Sequence, residues 1–279
     1  MYNKLLVEEI VKKALIEDMN HADITTDVLI DEDSISKAVI TAKEPGVLAG
    51  IDVAETVFKT LDGNVHFEAL KFDGERIKAG EDLVFIKGKT RGILKGERVA
   101  LNLVQRMSGI ATLSREYYEL VQDTKTRIVD TRKTTPGLRI LEKYAVRMGG
   151  CHNHRFNLSD AVMIKDNHIE AVGSITKAIE KARRTLPHTV KIEVEVESLD
   201  ELKEALASQA DIIMLDNMDT EMMKRAVEIN DGRAMLEASG KITKERIKDI
   251  ASIGVDVISV GALTHSVKAL DISLNIIKR

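Results

Sequence analysis

Six short apolar runs in the second half of the chain each end in a polar, charged or glycine residue, and a segment of helical periodicity follows each run. The runs occupy residues 127–130, 161–164, 190–194, 212–215, 234–236 and 257–260. Repeated strand–helix units of this length favour a parallel sheet. An open, doubly wound sheet normally carries a glycine-rich first turn, which this sequence lacks. The pattern therefore predicts an incomplete, six- or seven-stranded α/β barrel.

The first 107 residues have a different pattern. After an amphipathic opening helix, strand-like runs at 36–42, 65–71 and 83–87 are separated by short turns, which favours antiparallel pairing. We predict an N-terminal α+β open-faced sandwich domain over residues 1–107, in which a helix from about 96 to 107 comes last, and a barrel domain over residues 108–265. A final helix, residues 266–279, is expected to pack back on the first domain.

The composition excludes several classes of protein. A net charge of −4 and an aromatic content of 3% without tryptophan give no basis for binding nucleic acid. The single cysteine excludes an internal disulfide and suits a reducing compartment. No apolar run approaches the roughly 20 residues that cross a bilayer, and the charged opening helix is unlike a signal peptide. We therefore expect a cytoplasmic protein without a membrane or nucleic-acid partner.

Cationic residues follow the early strands of the predicted barrel. The carboxyl ends of barrel strands meet at one mouth, so these side chains are expected to cluster there. Thr131, Arg132 and Lys133 precede a helix and can hold carboxylate or phosphate oxygens, although a solvated turn has the same composition. His154 and Arg155 present two donors side by side, unless they form a buried structural pair. Lys165 is interpreted as a ligand clamp rather than a surface lysine.

Carboxylates follow the middle strands. Glu193, Glu195 and Glu197 alternate with apolar residues and therefore share one face of their strand. Three inward acids would repel one another unless cations or a metal compensate them. Glu195 is the best candidate and Asp216 the second, either as oxygen ligands of Mg²⁺ or to stabilise developing positive charge. An Asp–Asn pair such as 216–217 can also simply cap the next helix.

The last two strands end in small residues. Ser239, Gly240 and Lys241 follow one strand, and Gly261 and Ala262 follow the other. Barrels often bind phosphate at these final loops, where glycine allows close approach of backbone N–H groups. A phosphate at one side of the mouth, cations at the other and carboxylates between them indicate transfer at a phosphorylated sugar carbon.

A metal site of a different kind is also compatible with the sequence. Cys151, His152 and His154 are potential zinc ligands, which is the basis for the alternative of a metal-dependent barrel hydrolase. Adjacent Cys and His side chains point in different directions unless the loop curls, and no second Cys pair is present to complete a structural zinc site. A third hypothesis is that these cations belong to a non-catalytic protein that binds or senses an anion.

Eight motifs together closely resemble the quinolinate phosphoribosyltransferases, the carboxylating nicotinate-nucleotide pyrophosphorylases. They lie at residues 97–98, 101–102, 108–112, 130–137, 153–155, 164–168, 193–195 and 214–217, and the resemblance extends over essentially the whole chain. It implies a Mg²⁺-dependent pentosyltransferase of NAD biosynthesis. Such an enzyme converts quinolinate and phosphoribosyl pyrophosphate into nicotinate mononucleotide, CO₂ and pyrophosphate. A related transferase with another acceptor, as in the relatives associated with molybdenum transport, is the nearest alternative.

The resemblance also implies roles for matching positions. The residues that would hold the quinolinate carboxylates are Thr131, Arg132, His154, Arg155 and Lys165, with Arg98 entering from the neighbouring subunit of a homodimer. The catalytic set would be Lys133, Lys165, Glu195 and Asp216, with both lysines facing the donor and both acids facing the ribose and Mg²⁺. The 5-phosphate would bind at Ser239, Gly240, Lys241, Val260, Gly261 and Ala262. Two residues depart from the pattern of the family, Cys151 and Lys241, and neither removes an implied ligand.

Overall fold

The computed structural model describes residues 2–277 of the chain. The chain divides into two compact units that alternate along the sequence. The first unit comprises Met1–Glu116, Thr134–Gly150 and Ala262–Arg279, and the second comprises Tyr117–Lys133 and Cys151–Gly261. No helix of the described part is long and apolar enough to cross a membrane.

The first unit combines helices with two small antiparallel sheets. Its helices are α1 (Lys4–Asp18), α2 (Ile24–Leu29), α3 (Ile51–Leu61), most of α4 (Thr90–Tyr118), α5 (Arg139–Met148) and, last in the chain, α11 (Ala262–His265). Its strands are β1 (Ile35–Ala42), β2 (Gly46–Val47), β3 (His66–Ala69), β4 (Arg76–Ile77), β5 (Asp82–Lys89) and, last in the chain, β12 (Ile272–Ile277). The larger sheet has the order β12-β1-β5-β3, and β2 pairs with β4.

Alternation of side chains sets which face of this sheet is buried. Ala38, Ile40 and Ala42 of β1 are buried at every second position, which is the period of a strand with one face on a core. Helix α3 buries an apolar stripe that includes Val53 and Val57. The predicted antiparallel α+β arrangement is therefore the one observed.

The end of the chain differs from the prediction. Residues 266–279 were expected to form a helix, but Ile272–Ile277 form strand β12, antiparallel to β1, while residues 278–279 lie outside the described residues. Ile272 and Leu274 are buried and alternate with more accessible residues, and β-branched isoleucines favour an extended chain. The segment does return to the first domain, as expected, by covering an edge of its sheet.

Helix α4 is longer than the sequence indicates. It continues for 29 residues through Ser108 and Gly109, so the predicted domain boundary between residues 107 and 108 lies inside it. Gly109 is needed for packing, because a Cβ atom there would lie 2.2 Å from the carbonyl oxygen of Lys268. The glycine therefore marks a close backbone approach rather than a break between helices.

The second unit contains a parallel sheet of six strands among the described residues. The strands are β6 (Arg127–Val129), β7 (Val162–Ile164), β8 (Ile192–Val196), β9 (Ile212–Asp216), β10 (Met235–Ser239) and β11 (Val257–Ser259). The helices are α6 (Asp166–Val172), α7 (Ile175–Thr185), α8 (Leu199–Ala207), α9 (Thr220–Asn230) and α10 (Ile247–Ile253), with a 3-10 turn at Lys244–Arg246.

The order of this sheet is β6-β11-β10-β9-β8-β7. His152 adds an isolated parallel bridge to Val129 of β6, on the side away from β11. Six parallel strands and one additional bridge agree with the predicted incomplete α/β barrel. All six apolar runs of the sequence correspond to strands, so the predicted polar residues lie where the strands end.

We predict that strand pairing, and not a helical stripe, determines the contribution of the C-terminal residues to stability. Replacing Leu274 by Ala should lower the free energy of unfolding by about 2–4 kcal/mol, because its side chain is buried. Replacing Ile277 by Ala should cost less than about 1 kcal/mol, because Ile277 is 43% exposed in the strand. Urea denaturation measures both changes. Equal losses would contradict the strand, in which Leu274 is buried and Ile277 is exposed.

Candidate active site

Residues from three strand ends of the second unit form a charged cluster. Lys165 follows β7, and its Nζ lies 2.5 Å from Oε2 of Glu195 in β8. Asp216 ends β9 and lies opposite Ser239 in the register of β10. Because the strands are parallel and adjacent, their polar ends lie at the same edge of the sheet.

Electrostatic effects show that Asp216 belongs to the same cluster. Burial raises the pKa of the Asp216 carboxyl, and the negative charge of Glu195 raises this pKa further. The positive charges of Lys165 and Lys133 act in the opposite direction. The structure thus brings together all four residues that were predicted to be catalytic. Acids and lysines in one group can bind an anionic substrate and a developing cation in the same place.

Two guanidinium groups lie near this edge. Burial lowers the pKa of Arg155, and the positive charge of Arg132 lowers it further, so the two side chains are close enough to repel. Arg155 Nη1 donates to the carbonyl oxygen of Ala161 at 3.0 Å, which fixes its orientation. Neighbouring arginines of this kind are suited to a ligand with more than one carboxylate.

Asp130, which sequence reasoning did not single out as a functional residue, orders the two cationic motifs. Its carboxylate is fully buried and accepts hydrogen bonds from Asn153 Nδ2 at 2.7 Å and from the backbone N–H of His154 at 2.9 Å. Asp130 directly precedes Thr131 and Arg132 in the chain. One buried carboxylate therefore fixes the start of the first cationic motif beside the second, which contains His154.

A second buried cluster contains His154, Glu193 and Glu237. Nε2 of His154 lies 3.3 Å from a carboxylate oxygen of each glutamate. Burial lowers the pKa of His154, but the hydrogen bonds and charges of the two glutamates outweigh burial and raise this pKa to about 10. Burial and the charge of Glu237 also raise the pKa of Glu193, although His154 opposes this shift. The cluster therefore holds a protonated His154 between two buried acids.

The sequence predicts that glutamates on one face of this strand would repel one another unless cations lie beside them, and the structure supplies two such cations. Glu193 and Glu195 are directed to cations, His154 and Lys165 respectively, whereas Glu197 is exposed at the end of the strand. Glu237 is a functional candidate that sequence reasoning missed: like Asp216 it follows an apolar run in the sequence, but it lies in the middle of β10. Its position after an apolar run was the only available signal.

The three potential zinc ligands of the alternative interpretation do not form a cluster. Within residues 2–277, the cluster of potential metal ligands is His154, Glu193 and Glu237, without Cys151 or His152. Cys151 is buried, and burial with the charge of Arg127 lowers the pKa of His152. A zinc centre at Cys151 is therefore not supported.

The loops after β9 and β10 contain residues with a left-handed backbone. Gly240, Lys241 and Asn217 all have positive φ, of 77°, 50° and 55°. A Cβ atom on Gly240 would lie 2.4 Å from Oδ1 of Asn217, so only glycine allows this approach. Tight loops with accessible backbone N–H groups are typical of phosphate sites. Ser239 and Lys241 flank this glycine, and phosphate binding at this loop stays a prediction.

The remaining candidates are divided between the two units. Val260 donates its backbone N–H to the carbonyl oxygen of Val129 at 2.9 Å and precedes Gly261, which ends the second unit. Ala262 begins α11 and belongs to the first unit. Arg98 lies exposed on α4, also in the first unit.

The sequence as a whole matches two models of protein domains. Residues 23–108 match the N-terminal domain of quinolinate phosphoribosyl transferase, and residues 110–275 match its C-terminal domain. The chain belongs to the quinolinate phosphoribosyltransferase family. The two matched ranges meet inside α4, next to the boundary predicted from the sequence.

Two relatives match this chain over nearly their whole length. The chain is 45% identical over 274 residues to the probable nicotinate-nucleotide pyrophosphorylase (carboxylating) of Bacillus subtilis, covering 98% of this chain and 94% of the relative. It is 43% identical over 272 residues to the enzyme of Mycobacterium leprae, covering 95% of both chains. These matches confirm the resemblance drawn from the motifs.

Two solved structures are also closely similar to this chain. The crystal structure of NadC from Streptococcus pyogenes superimposes with a TM-score of 0.95 at 44% identity, covering 100% of this chain and 99% of that one. The nicotinate-nucleotide pyrophosphorylase of Francisella tularensis gives a TM-score of 0.94 at 42% identity, covering 99% and 98%. Neither a barrel hydrolase nor a transferase with another acceptor is favoured by these relatives.

Proposed function

We propose that this protein transfers the phosphoribosyl group of phosphoribosyl pyrophosphate to quinolinate and releases CO₂, forming nicotinate mononucleotide and pyrophosphate. The observation that carries the proposal is the convergence of Lys133, Lys165, Glu195 and Asp216 at the strand ends of a quinolinate phosphoribosyltransferase barrel. The roles of individual residues follow from their position and charge in this cluster.

The acceptor is assigned to the arginine side of the mouth. Arg132 and Arg155 lie close together, and Lys165 follows β7. Quinolinate carries two carboxylates, and paired guanidinium groups recognise carboxylates through parallel hydrogen bonds. His154 supplies a further cationic group and Thr131 a hydroxyl. Nicotinate lacks one carboxylate and would leave these cations unpaired, so it should be a poor acceptor.

The donor is assigned to the acidic side and to the glycine loops. Lys133 and Lys165 face the pyrophosphate, and residues 239–241 with 260–262 bind the 5-phosphate. Glu195 and Asp216 face the ribose, where loss of pyrophosphate leaves an oxocarbenium-like carbon. Carboxylates held beside that carbon stabilise its positive charge, while the lysines stabilise the leaving group.

Magnesium is assigned to the same two acids. Carboxylate oxygens are the ligands that Mg²⁺ prefers, and the charge of Glu195 raises the pKa of Asp216, which shows that the two acids share one environment. A divalent cation beside them would relieve this repulsion. When bound, Mg²⁺ would neutralise charge on the pyrophosphate group.

The order of bond changes follows from the charges. The ring nitrogen of quinolinate forms a bond to the sugar carbon while the bond from that carbon to pyrophosphate breaks. The nitrogen then carries a positive charge beside the 2-carboxylate. The bond between that carboxylate and the ring breaks to release CO₂, its electron pair remains on the ring carbon, and a proton replaces the carboxylate.

We further propose a homodimer whose sites are shared between subunits. Family resemblance assigns Arg98 to the site of the neighbouring subunit, and Arg98 is exposed on α4. Helix α2 of the same unit exposes apolar side chains, with Ile24, Val28 and Leu29 each more than 70% accessible. Exposed apolar surface of this kind is suited to a subunit interface. The cytoplasm is the proposed location, since a single cysteine suits a reducing compartment.

Glu195 and Glu197 provide a matched test of the assignment, because Glu195 in β8 contacts Lys165, whereas Glu197 directly follows the strand and is exposed. With quinolinate, phosphoribosyl pyrophosphate and Mg²⁺, Glu195→Gln should reduce kcat on the order of 10²-fold, because a charge that stabilises the transition state is lost. Glu197→Gln should retain nearly full activity. Formation of nicotinate mononucleotide measures both. A folded wild-type protein without turnover would refute the function, and equal activity of the two variants would refute the role of Glu195.

Shared sites predict complementation between two inactive variants. Arg98→Ala and Lys165→Ala are each expected to be nearly inactive. After unfolding and refolding together in equal amounts, they should regain about one quarter of wild-type activity, because each mixed dimer has one intact site. Lys165→Ala mixed with Lys165→Ala/Arg98→Ala is the control and should stay inactive. Mixed dimers that form without regaining activity would show that each site is built from one chain.

A further inference from the structure

Arg106, on α4, makes hydrogen bonds to three different segments of the first unit. Its Nε donates to Oε1 of Glu142 on α5 at 2.7 Å. Its Nη2 donates to Oγ1 of Thr135 at 2.7 Å and to the carbonyl oxygen of Thr264 on α11 at 3.3 Å. A planar guanidinium is suited to such a junction because its donors have fixed directions.

Glu142 completes this junction. Its side chain is only 1% exposed, and its charge is compensated by Arg106, whose Nη2 lies 2.6 Å from Oε1. The other oxygen, Oε2, accepts the backbone N–H of Thr135 at 3.1 Å. Thr135 is thus held through both its hydroxyl and its amide group. Loss of Arg106 would leave the buried carboxylate of Glu142 without its compensating charge.

The held segments are direct continuations of two candidate ligand loops. Thr135 comes two residues after Lys133, and Thr264 comes three residues after Gly261. In addition, Arg139 Nε donates to Oγ1 of Thr134 at 2.9 Å, which fixes the residue next to Lys133. The junction therefore restrains the chain where it leaves the predicted donor-binding lysine and the predicted phosphate loop.

Neither member of the pair is arranged as a ligand for substrate. The carboxylate of Glu142 is buried and both of its oxygens accept hydrogen bonds from the protein. Nε and Nη2 of Arg106 both donate to protein oxygens. We therefore expect these residues to affect catalysis through the loops that they hold.

We propose that Arg106 and Glu142 form a positioning pair that sets the places of Lys133 and of the Gly261 loop for the two substrates. The inference rests on the proposed function, because it assigns a purpose to loops that bind quinolinate and phosphoribosyl pyrophosphate. A misplacement of about 1 Å in a substrate-positioning group lowers rates on the order of 10²-fold. The pair thus acts on kinetics beyond its contribution to stability.

The test compares two arginines on the same helix. Arg106→Lys keeps the charge but loses the fork that joins Glu142, Thr135 and Thr264. Arg115→Lys is the control, since Arg115 Nε also joins α4 to the end of α5, at the carbonyl oxygen of Gly149, 2.9 Å away. Arg106→Lys should lower kcat/KM for both substrates about 100-fold, whereas Arg115→Lys should change it less than about threefold.

Hydrogen–deuterium exchange supplies a readout that does not depend on turnover. Amide groups of residues 131–137 should exchange faster in Arg106→Lys than in Arg115→Lys. Thr135→Val removes the hydroxyl that Arg106 contacts and keeps the hydrogen bond from the backbone N–H to Glu142. It should give a smaller decrease in kcat/KM and a smaller increase in exchange. This variant decides the question if Arg106→Lys does not fold.

The outcomes separate this inference from the function on which it rests. Wild-type protein without turnover would overturn the function and the inference together. Active wild-type protein with equal kinetics and equal exchange in the two arginine variants would overturn the inference alone. A lower melting temperature in Arg106→Lys with unchanged kcat and KM would also overturn it, because the pair would then have only a structural role.

Discussion

The barrel depends on the compensation of acidic side chains that point into its interior. Glu195 is compensated by Lys165, and Glu193 and Glu237 are compensated by His154. An isolated charge in such a place costs several kcal/mol, because water no longer surrounds it. The strands of the barrel are therefore compatible only when cations from other loops arrive at the correct position. Folding of the scaffold and assembly of the site are in this sense one event.

The same compensation prepares the mouth of the barrel for charged ligands. Cations and carboxylates are already held in fixed places, so little reorganisation is needed when an anion binds or when positive charge develops on a sugar carbon. Buried acids outside the ligand set add a further level of order. Asp130 fixes the loop of His154, and Glu142 with Arg106 fixes the chain beyond Lys133. Such support from surrounding residues is what holds a site within the narrow tolerance that catalysis needs.

The positions of the strands were predictable, but the pairing of charges was not. Each barrel strand is marked in the sequence by an apolar run followed by a polar or small residue. Such a local pattern can be recognised before the fold is known. The partners of His154 lie on β8 and β10, far away in sequence, so nothing near His154 indicates Glu237. For the same reason Arg106, Glu142 and Asp130 were not identified as functional.

At the end of the chain a local pattern was present but predicted the wrong element. Val267, Leu270, Leu274 and Ile277 fit a helical spacing, yet residues 272–277 form a strand because the edge of β1, far away in sequence, is available to pair with them. In α4, Ser108 and Gly109 resemble a break between helices, but the glycine is there to admit the carbonyl group of Lys268. Both errors arise where a long-range contact overrides a local pattern.

The most direct test of the central claim is a site-specific NMR titration of the Asp216 carboxyl in wild type and in Glu195→Gln. If charges from separate strands converge as described, the pKa of Asp216 lies above its ordinary value of 3.8 and falls when Glu195 is neutralised, because a negative neighbour is removed and Lys165 is released. An ordinary pKa that does not respond to Glu195→Gln would show that the strand ends do not form one electrostatic cluster, and would contradict the account.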